Sequence, residues 1–124
     1  MKVEDMDVWK QACELSVSIY REMANLKDFG FRDQITRSGL SIPSNIAEGF
    51  GRSTDKEKRN FLNYAKGSCS ELRTQTYIGM KIGYIDTDTA KSWIKQSNDI
   101  SSMLTALMNY LDKQSQRTLS KTND

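Results

Sequence analysis

Apolar residues return along this chain at steps of three and four, with no stretch alternating by two, so the pattern is helical throughout. Val8, Trp9, Ala12, Leu15, Ser16, Ile19 and Met23 make the first stripe and predict a helix over about residues 7–26, with Asp5 or Asp7 as its N-cap. Trp9 and Tyr20 read as core aromatics of a bundle helix rather than as base-stacking ones. Lys27-Asp28-Phe29-Gly30 interrupts the pattern, and Gly30 suits the left-handed stop that ends many helices.

A second helix, over about residues 31–50, carries two stripes at once. Phe31, Ile35, Ile42 and Ile46 fall near one side, while Gln34, Ser38, Ser41, Asn45, Glu48 and Arg52 recur on another. A solvent-facing side ordinarily uses long charged residues, whereas short uncharged ones suit a side that another helix or subunit covers. Pro43 lies within this run, where it removes a backbone donor and presses on the Gly39 carbonyl. Either the helix bends there and continues, or Ser41 caps a new helix starting at Ile42 or Pro43. Stripes that keep their phase across Pro43 favour the unbroken helix, which Gly49-Phe50-Gly51 ends.

Thr54-Asp55-Lys56-Glu57 fits a capping box and opens a third helix over about residues 54–84. Its stripe passes through Phe61, Leu62, Ala65, Cys69, Leu72, Thr76 and Gly79 to Gly83. Gly67, Ser68, Gly79 and Gly83 are small for a long helix; each helical glycine costs on the order of 1 kcal/mol against alanine, which suggests a neighbouring backbone at close range. Glu71 is either a solvated glutamate or the partner of Arg37 or Arg52. Asp86 or Thr87 caps a fourth helix, over about residues 87–112, whose seam is Ala90, Trp93, Ser97, Ile100, Leu104, Leu107 and Leu111. Residues 113–124 are polar and read as a frayed or disordered tail. Four amphipathic helices with short connections predict an all-α fold, an up-down-up-down antiparallel four-helix bundle forming a single domain over residues 1–124.

Composition narrows the chemistry. Eighteen Lys and Arg stand against sixteen Asp and Glu, a net charge of +2, so any case for a polyanion partner rests on distribution, and the basic excess lies in the middle of the chain. The absence of histidine removes Ser-His and Cys-His nucleophile pairs and the usual zinc sets, so nothing argues for an enzyme, a metal or another cofactor. Cys13 and Cys69 sit among helical apolar positions as small buried hydrophobes. No run approaches the ~20 apolar residues of a membrane span, and no signal-peptide pattern opens the chain, so the expectation is a cytoplasmic protein without membrane contact.

Asp7-Val8-Trp9-Lys10, Gln34-Ile35-Thr36-Arg37, the run Ser41-Ile42-Pro43-Ser44-Asn45-Ile46-Ala47-Glu48-Gly49, and Gly67-Ser68 with Glu71 are together similar to the four-helix-bundle family of bacterial proteins encoded in 23S rRNA intervening sequences. The resemblance covers roughly residues 5–85; the fourth helix matches only in being amphipathic, and Gly39 stands where the family more often has alanine. It implies a bundle that assembles into a ring, a homopentamer. It also implies a relative, the accessory protein of diversity-generating retroelements, similar in fold, which engages RNA and a reverse transcriptase through positively charged outer surface. No catalytic residue comes with the resemblance. Gln34, Arg37, Ser41, Pro43, Asn45, Glu48, Gly49, Ser68 and Glu71, with Arg52, are implied to be packing and assembly positions.

Two functions follow as expectations. The first is a non-enzymatic oligomeric binder of structured RNA, whose contacts are Arg52, Lys56, Lys58, Arg59, Lys66 and Arg73, with positions 56, 59, 66 and 73 near one helical face. Against it, Asp55 and Glu57 interrupt the cluster, as they do in a solvated charged face, and only repetition around an oligomer adds up a patch so weak. The second is a ring-shaped interaction scaffold that docks a protein partner such as a reverse transcriptase.

Overall fold

The computed structural model describes the backbone of residues 2–123 and the side chains of residues 2–119. After a short 3₁₀ turn at Val3–Asp5 come four helices: α1 (Asp7–Met23), α2 (Phe29–Phe50), α3 (Asp55–Lys81) and α4 (Thr87–Asn123). Among the described residues there is no strand. The connections are too short to cross the bundle, so sequence neighbours run antiparallel. Each of α1 and α3 packs on both α2 and α4, which leaves α1–α3 and α2–α4 as the two diagonals of a square.

The core is the sum of the four stripes: Leu15 and Ile19 from α1, Ile35, Ile42 and Ile46 from α2, Leu62, Ala65, Cys69 and Leu72 from α3, and Trp93, Ile100 and Leu104 from α4. Trp93 spends its one donor on the Ser18 hydroxyl at 3.0 Å, so its ring is buried without an orphaned N–H. Burial pushes the Cys69 thiol up to about 11, which makes it a packing group. Cys13 is only half-buried. Trp9 packs against the core, but Tyr20, expected inside, stands on the surface. The cause is angular: Tyr20 lies one residue past Ile19, about 100° around the helix from the core direction. On α4 the buried seam takes Met108, while Leu107 is only partly covered, because a 3.6-residue helix drifts off a strict heptad.

The helix ends depart from expectation more than the stripes do. Neither Asp5 nor Asp7 caps α1; Met6 holds that position without a side-chain bond, and Asp7 lies in the first turn, where its charge suits the helix dipole. Helix α1 stops at Met23, before the expected residue 26. Gly30 is no left-handed stop. It lies in the first turn of α2, whose start is set by Asp28: one carboxylate oxygen accepts the Phe31 N–H at 3.1 Å and the other accepts the Tyr84 hydroxyl at 2.9 Å. Those bonds, the backbone one foremost, hold the Asp28 carboxyl below the usual carboxylate range. Asp86 does the same for α4, accepting both the backbone N–H and the hydroxyl of Thr89. Both caps are present above the ordinary carboxylate range and are lost as pH falls through the lowered values.

Helix α2 passes through the buried Pro43 without a break. Thr54 caps α3 by accepting the Glu57 N–H at 3.2 Å. Gly83, which the stripe placed inside α3, ends it instead: at φ +83° it is the left-handed residue of a Schellman turn, with Tyr84 N–H on Gly79 C=O at 2.8 Å and Gly83 N–H on Met80 C=O at 3.2 Å. The expected tail from residue 113 continues as helix through Asn123, since Lys113, Gln114, Gln116 and Arg117 are good helix formers and no glycine or proline stops them; Asp124 lies outside the described residues.

Gly79 is where α3 meets the aromatic end of the bundle. A Cβ there would lie 2.8 Å from Phe31 Cζ and 2.6 Å from Ile85 Cδ1, and the Phe31 ring is held edge-on to Tyr84 at 5.3 Å. Gly79→Ala is therefore expected to lower unfolding free energy by about 1–3 kcal/mol, despite alanine's better helix propensity, and a urea titration reads it as an earlier midpoint.

Candidate nucleic-acid interface

Residues seven apart on a helix lie on nearly the same side, ~10.5 Å apart along the axis, so Arg59, Lys66 and Arg73 form a row down one flank of α3. Contact with α4 identifies the flank: Arg59 Nε donates to Asp112 Oδ1 at 2.7 Å. Arg73 Nη2 donates to the Ser70 hydroxyl at 3.0 Å. Lys66 is half-buried and forms no ion pair among the described residues.

Lys56, three residues before Arg59 on α3, adjoins this row, while the other two expected contacts, Arg52 and Lys58, lie apart from it. Arg52 turns to the end of α2, where its guanidinium lies 3.5 Å from Glu48 and 4.5 Å above the Phe61 ring. Lys58 borders a cleft of about 590 Å³ at the end of the bundle, shared with Met6, Phe50, Asp55 and Tyr110. Lys56 points outward from the first turn of α3. Two members of the six-residue cluster, Arg52 and Arg59, are thus partly neutralised by carboxylates. Those pairs are solvent-exposed and worth at most ~1 kcal/mol each, so a polyanion competes for them cheaply.

The row continues where sequence reading left it. Tyr77, four residues past Arg73, is 52% exposed, and Lys81 holds its ammonium 5.5 Å over the Tyr77 ring. Carrying the step of four onward from Arg73 would have found both. The flank therefore reads Arg59, Lys66, Arg73, Tyr77, Lys81: spaced cations ending in an accessible aromatic, which is the composition of a surface that tracks a phosphate backbone and stacks a base.

The short polar side of α2 has a different role. Ser41 donates to the Ser68 hydroxyl across the α2–α3 contact at 2.6 Å, Ser68 donates to the Tyr64 carbonyl at 3.2 Å, and Asn45 donates to the Ser41 carbonyl at 2.8 Å. Pro43 and Gly49 are buried, and a Cβ on Gly49 would lie 3.1 Å from Phe61 Cβ and 3.2 Å from the Lys58 carbonyl. Ser41, Asn45, Ser68, Pro43 and Gly49 are thus packing residues within one chain. Gln34, Arg37, Ser38, Ser41 and Glu71 line a polar cleft of about 310 Å³ beside this contact. Glu71 forms no ion pair with Arg37 or Arg52 and remains exposed. No group of three or more His, Cys, Asp or Glu among the described residues is placed to hold a metal, and none of their helices is long and apolar enough to cross a membrane.

Comparison with known proteins bears on these surfaces. The family model described as 23S rRNA-intervening sequence protein matches residues 4–106. Among solved structures, the chain is similar to a protein of unknown function from the S23 ribosomal protein family of Bacteroides thetaiotaomicron VPI-5482, at 28% identity and a TM-score of 0.77, over 82% of this chain and 97% of that one. No curated protein matches. Since the Ser41 and Ser68 hydroxyls meet at 2.6 Å, Ser41→Leu is expected to force α2 and α3 apart and lower unfolding free energy by about 1–3 kcal/mol, measured by chemical denaturation.

Proposed function

The chain belongs to the 23S rRNA-intervening sequence protein family, and from that premise we propose that it is a non-enzymatic, cytoplasmic, oligomeric protein that binds structured RNA through the outer flank of α3. The observation that carries this reading is the row Arg59, Lys66, Arg73, capped by Tyr77 and Lys81. Cations ~10 Å apart are separated by about one Debye length at physiological salt, so they tolerate one another while each draws a phosphate. One row offers few contacts, in keeping with a net charge of only +2. Repetition around a ring, a homopentamer by family likeness, multiplies those contacts without new chemistry.

A second reading is a scaffold that docks a protein partner such as a reverse transcriptase. It is favoured by Gly67, a mid-helix glycine at the surface whose missing Cβ would touch nothing within the chain.

Titrating the protein against a structured RNA at several salt concentrations separates the two. Replacing Lys66, Arg73 and Lys81 by glutamine is expected to weaken binding and to flatten the salt dependence by about one unit per lost phosphate contact, with helical content unchanged. Asp112→Asn, which releases Arg59, is expected to strengthen binding. Affinity and salt slope untouched by either change overturn the RNA reading, and a partner retained at high salt after nuclease treatment then supports the scaffold.

A further inference from the structure

The polar cleft of about 310 Å³ beside the α2–α3 contact is lined by side chains that the chain's own packing mostly leaves unused. Gln34, Arg37, Ser38 and Ser41 stand at steps of three and four on the side of α2 that meets α3, and Glu71 faces them from α3. Ser41 is committed: its hydroxyl proton goes to Ser68, which leaves only its lone pairs for anything in the cleft. The others are not committed. Arg37 and Glu71 form no ion pair, with each other or with any described residue. Their helical neighbours do not match them either. Asp33, one turn before Arg37, lies 3.5 Å from Arg32 instead, and Gly67 and Gln75 stand one turn to either side of Glu71. The Gln34 amide makes no hydrogen bond among the described residues. Ser38 is only 4% exposed and opens on the cleft, yet its hydroxyl has no hydrogen-bond partner among the described residues. A buried hydroxyl without a partner is costly, and a polar group in the cleft would supply one.

We infer that this cleft binds a small zwitterion of the α-amino acid class, its carboxylate held by Arg37, Gln34 and Ser38 and its ammonium by Glu71 and Ser41. The two charges select the ligand. A simple anion would bring its charge beside Glu71 and a simple cation would sit beside Arg37, whereas a molecule carrying both signs matches both ends. The Arg37 guanidinium presents a planar fork of donors, which suits a carboxylate. The ionised Glu71 carboxylate only accepts, and Ser41, its proton already given to Ser68, adds a lone pair, so both suit the N–H donors of an ammonium group. The volume lies at the small end of ligand sites, ~300–1,000 Å³, in keeping with a single amino acid. None of the lining residues is aromatic, so a nucleobase would find no ring to stack on. The inference goes beyond the RNA reading and does not depend on it. The cleft lies on the α2 side of α3, and the basic row lies on the α4 side.

Thermal unfolding of the full chain with each common L-amino acid at millimolar concentration finds the ligand, and isothermal titration then measures its affinity. At least one amino acid is expected to raise the melting temperature and to bind. Its N-acetyl derivative, which lacks the ammonium, and its amide, which lacks the carboxylate, are each expected to bind at least about tenfold more weakly. Arg37→Gln and Glu71→Gln, both at exposed positions, are expected to keep the melting temperature of the unliganded protein and to lose at least about tenfold in affinity. Arg37→Gln is further expected to bind the amide as well as the parent amino acid, and Glu71→Gln to bind the N-acetyl derivative as well as the parent. No binding by any amino acid, guanosine binding in their place, blocked derivatives that bind the wild type as well as the parent does, or variants of unchanged affinity overturn the inference. Lys66→Gln combined with Arg73→Gln is expected to weaken RNA binding and leave amino-acid binding intact, so the two proposals fail separately.

Discussion

The closeness of α2 and α3 is the constraint on which the rest of the bundle depends. It is set by short side chains: the Ser41 and Ser68 hydroxyls meet at 2.6 Å, and the backbone of α3 near Lys58 comes within 3.2 Å of where a side chain on Gly49 would begin. Long residues at either place would hold the helices apart and open the core beneath Ile42, Ile46 and Leu62. Pro43 fits the same scheme. Its missing N–H leaves the Gly39 carbonyl without its helical donor, and Gly39, having no side chain, lets Ile19 of α1 fill the space that a Cβ would take.

Packing α2 so tightly gives α3 two unlike flanks. One side of α3 is tied to α2 through Ser68; the other meets α4 through the Arg59–Asp112 pair and carries the cations on to Lys81. With net charge near zero, function depends on which charges are already matched inside the chain. Among the described residues Arg52 and Arg59 have carboxylate partners, while Lys66, Arg37 and Glu71 form no ion pair. The unmatched lysine belongs to the outer flank of α3, and Arg37 and Glu71 line one polar cleft beside the α2–α3 contact.

Much of the fold could be read directly because helical burial is periodic. Ile35, Ile42, Ile46, Leu62, Leu72, Ile100 and Leu104 lie in the core for the reason their spacing gives. The ends were harder. Gly30 and Gly83 look alike in sequence, yet only Gly83 adopts the left-handed turn, because Asp28 had already begun α2 before Gly30 while nothing caps a new helix before Gly83. Tyr20 was misread because a stripe of finite width does not say where its edge falls, and Leu107 and Met108 exchanged places for the same reason.

The candidate sites divide along the same line. Spacing alone put Arg59, Lys66 and Arg73 on one flank of α3, because that relation is internal to a single helix. Only the tertiary structure decided that Asp112, fifty-three positions away, engages Arg59, that Arg52 turns instead to Glu48 and Phe61, and that Glu71 and Arg37 do not pair with each other. It also decided which glycines the chain itself needs. Periodicity is written in local order, whereas charge pairing and close approach are settled between helices, by distances that no stretch of sequence contains.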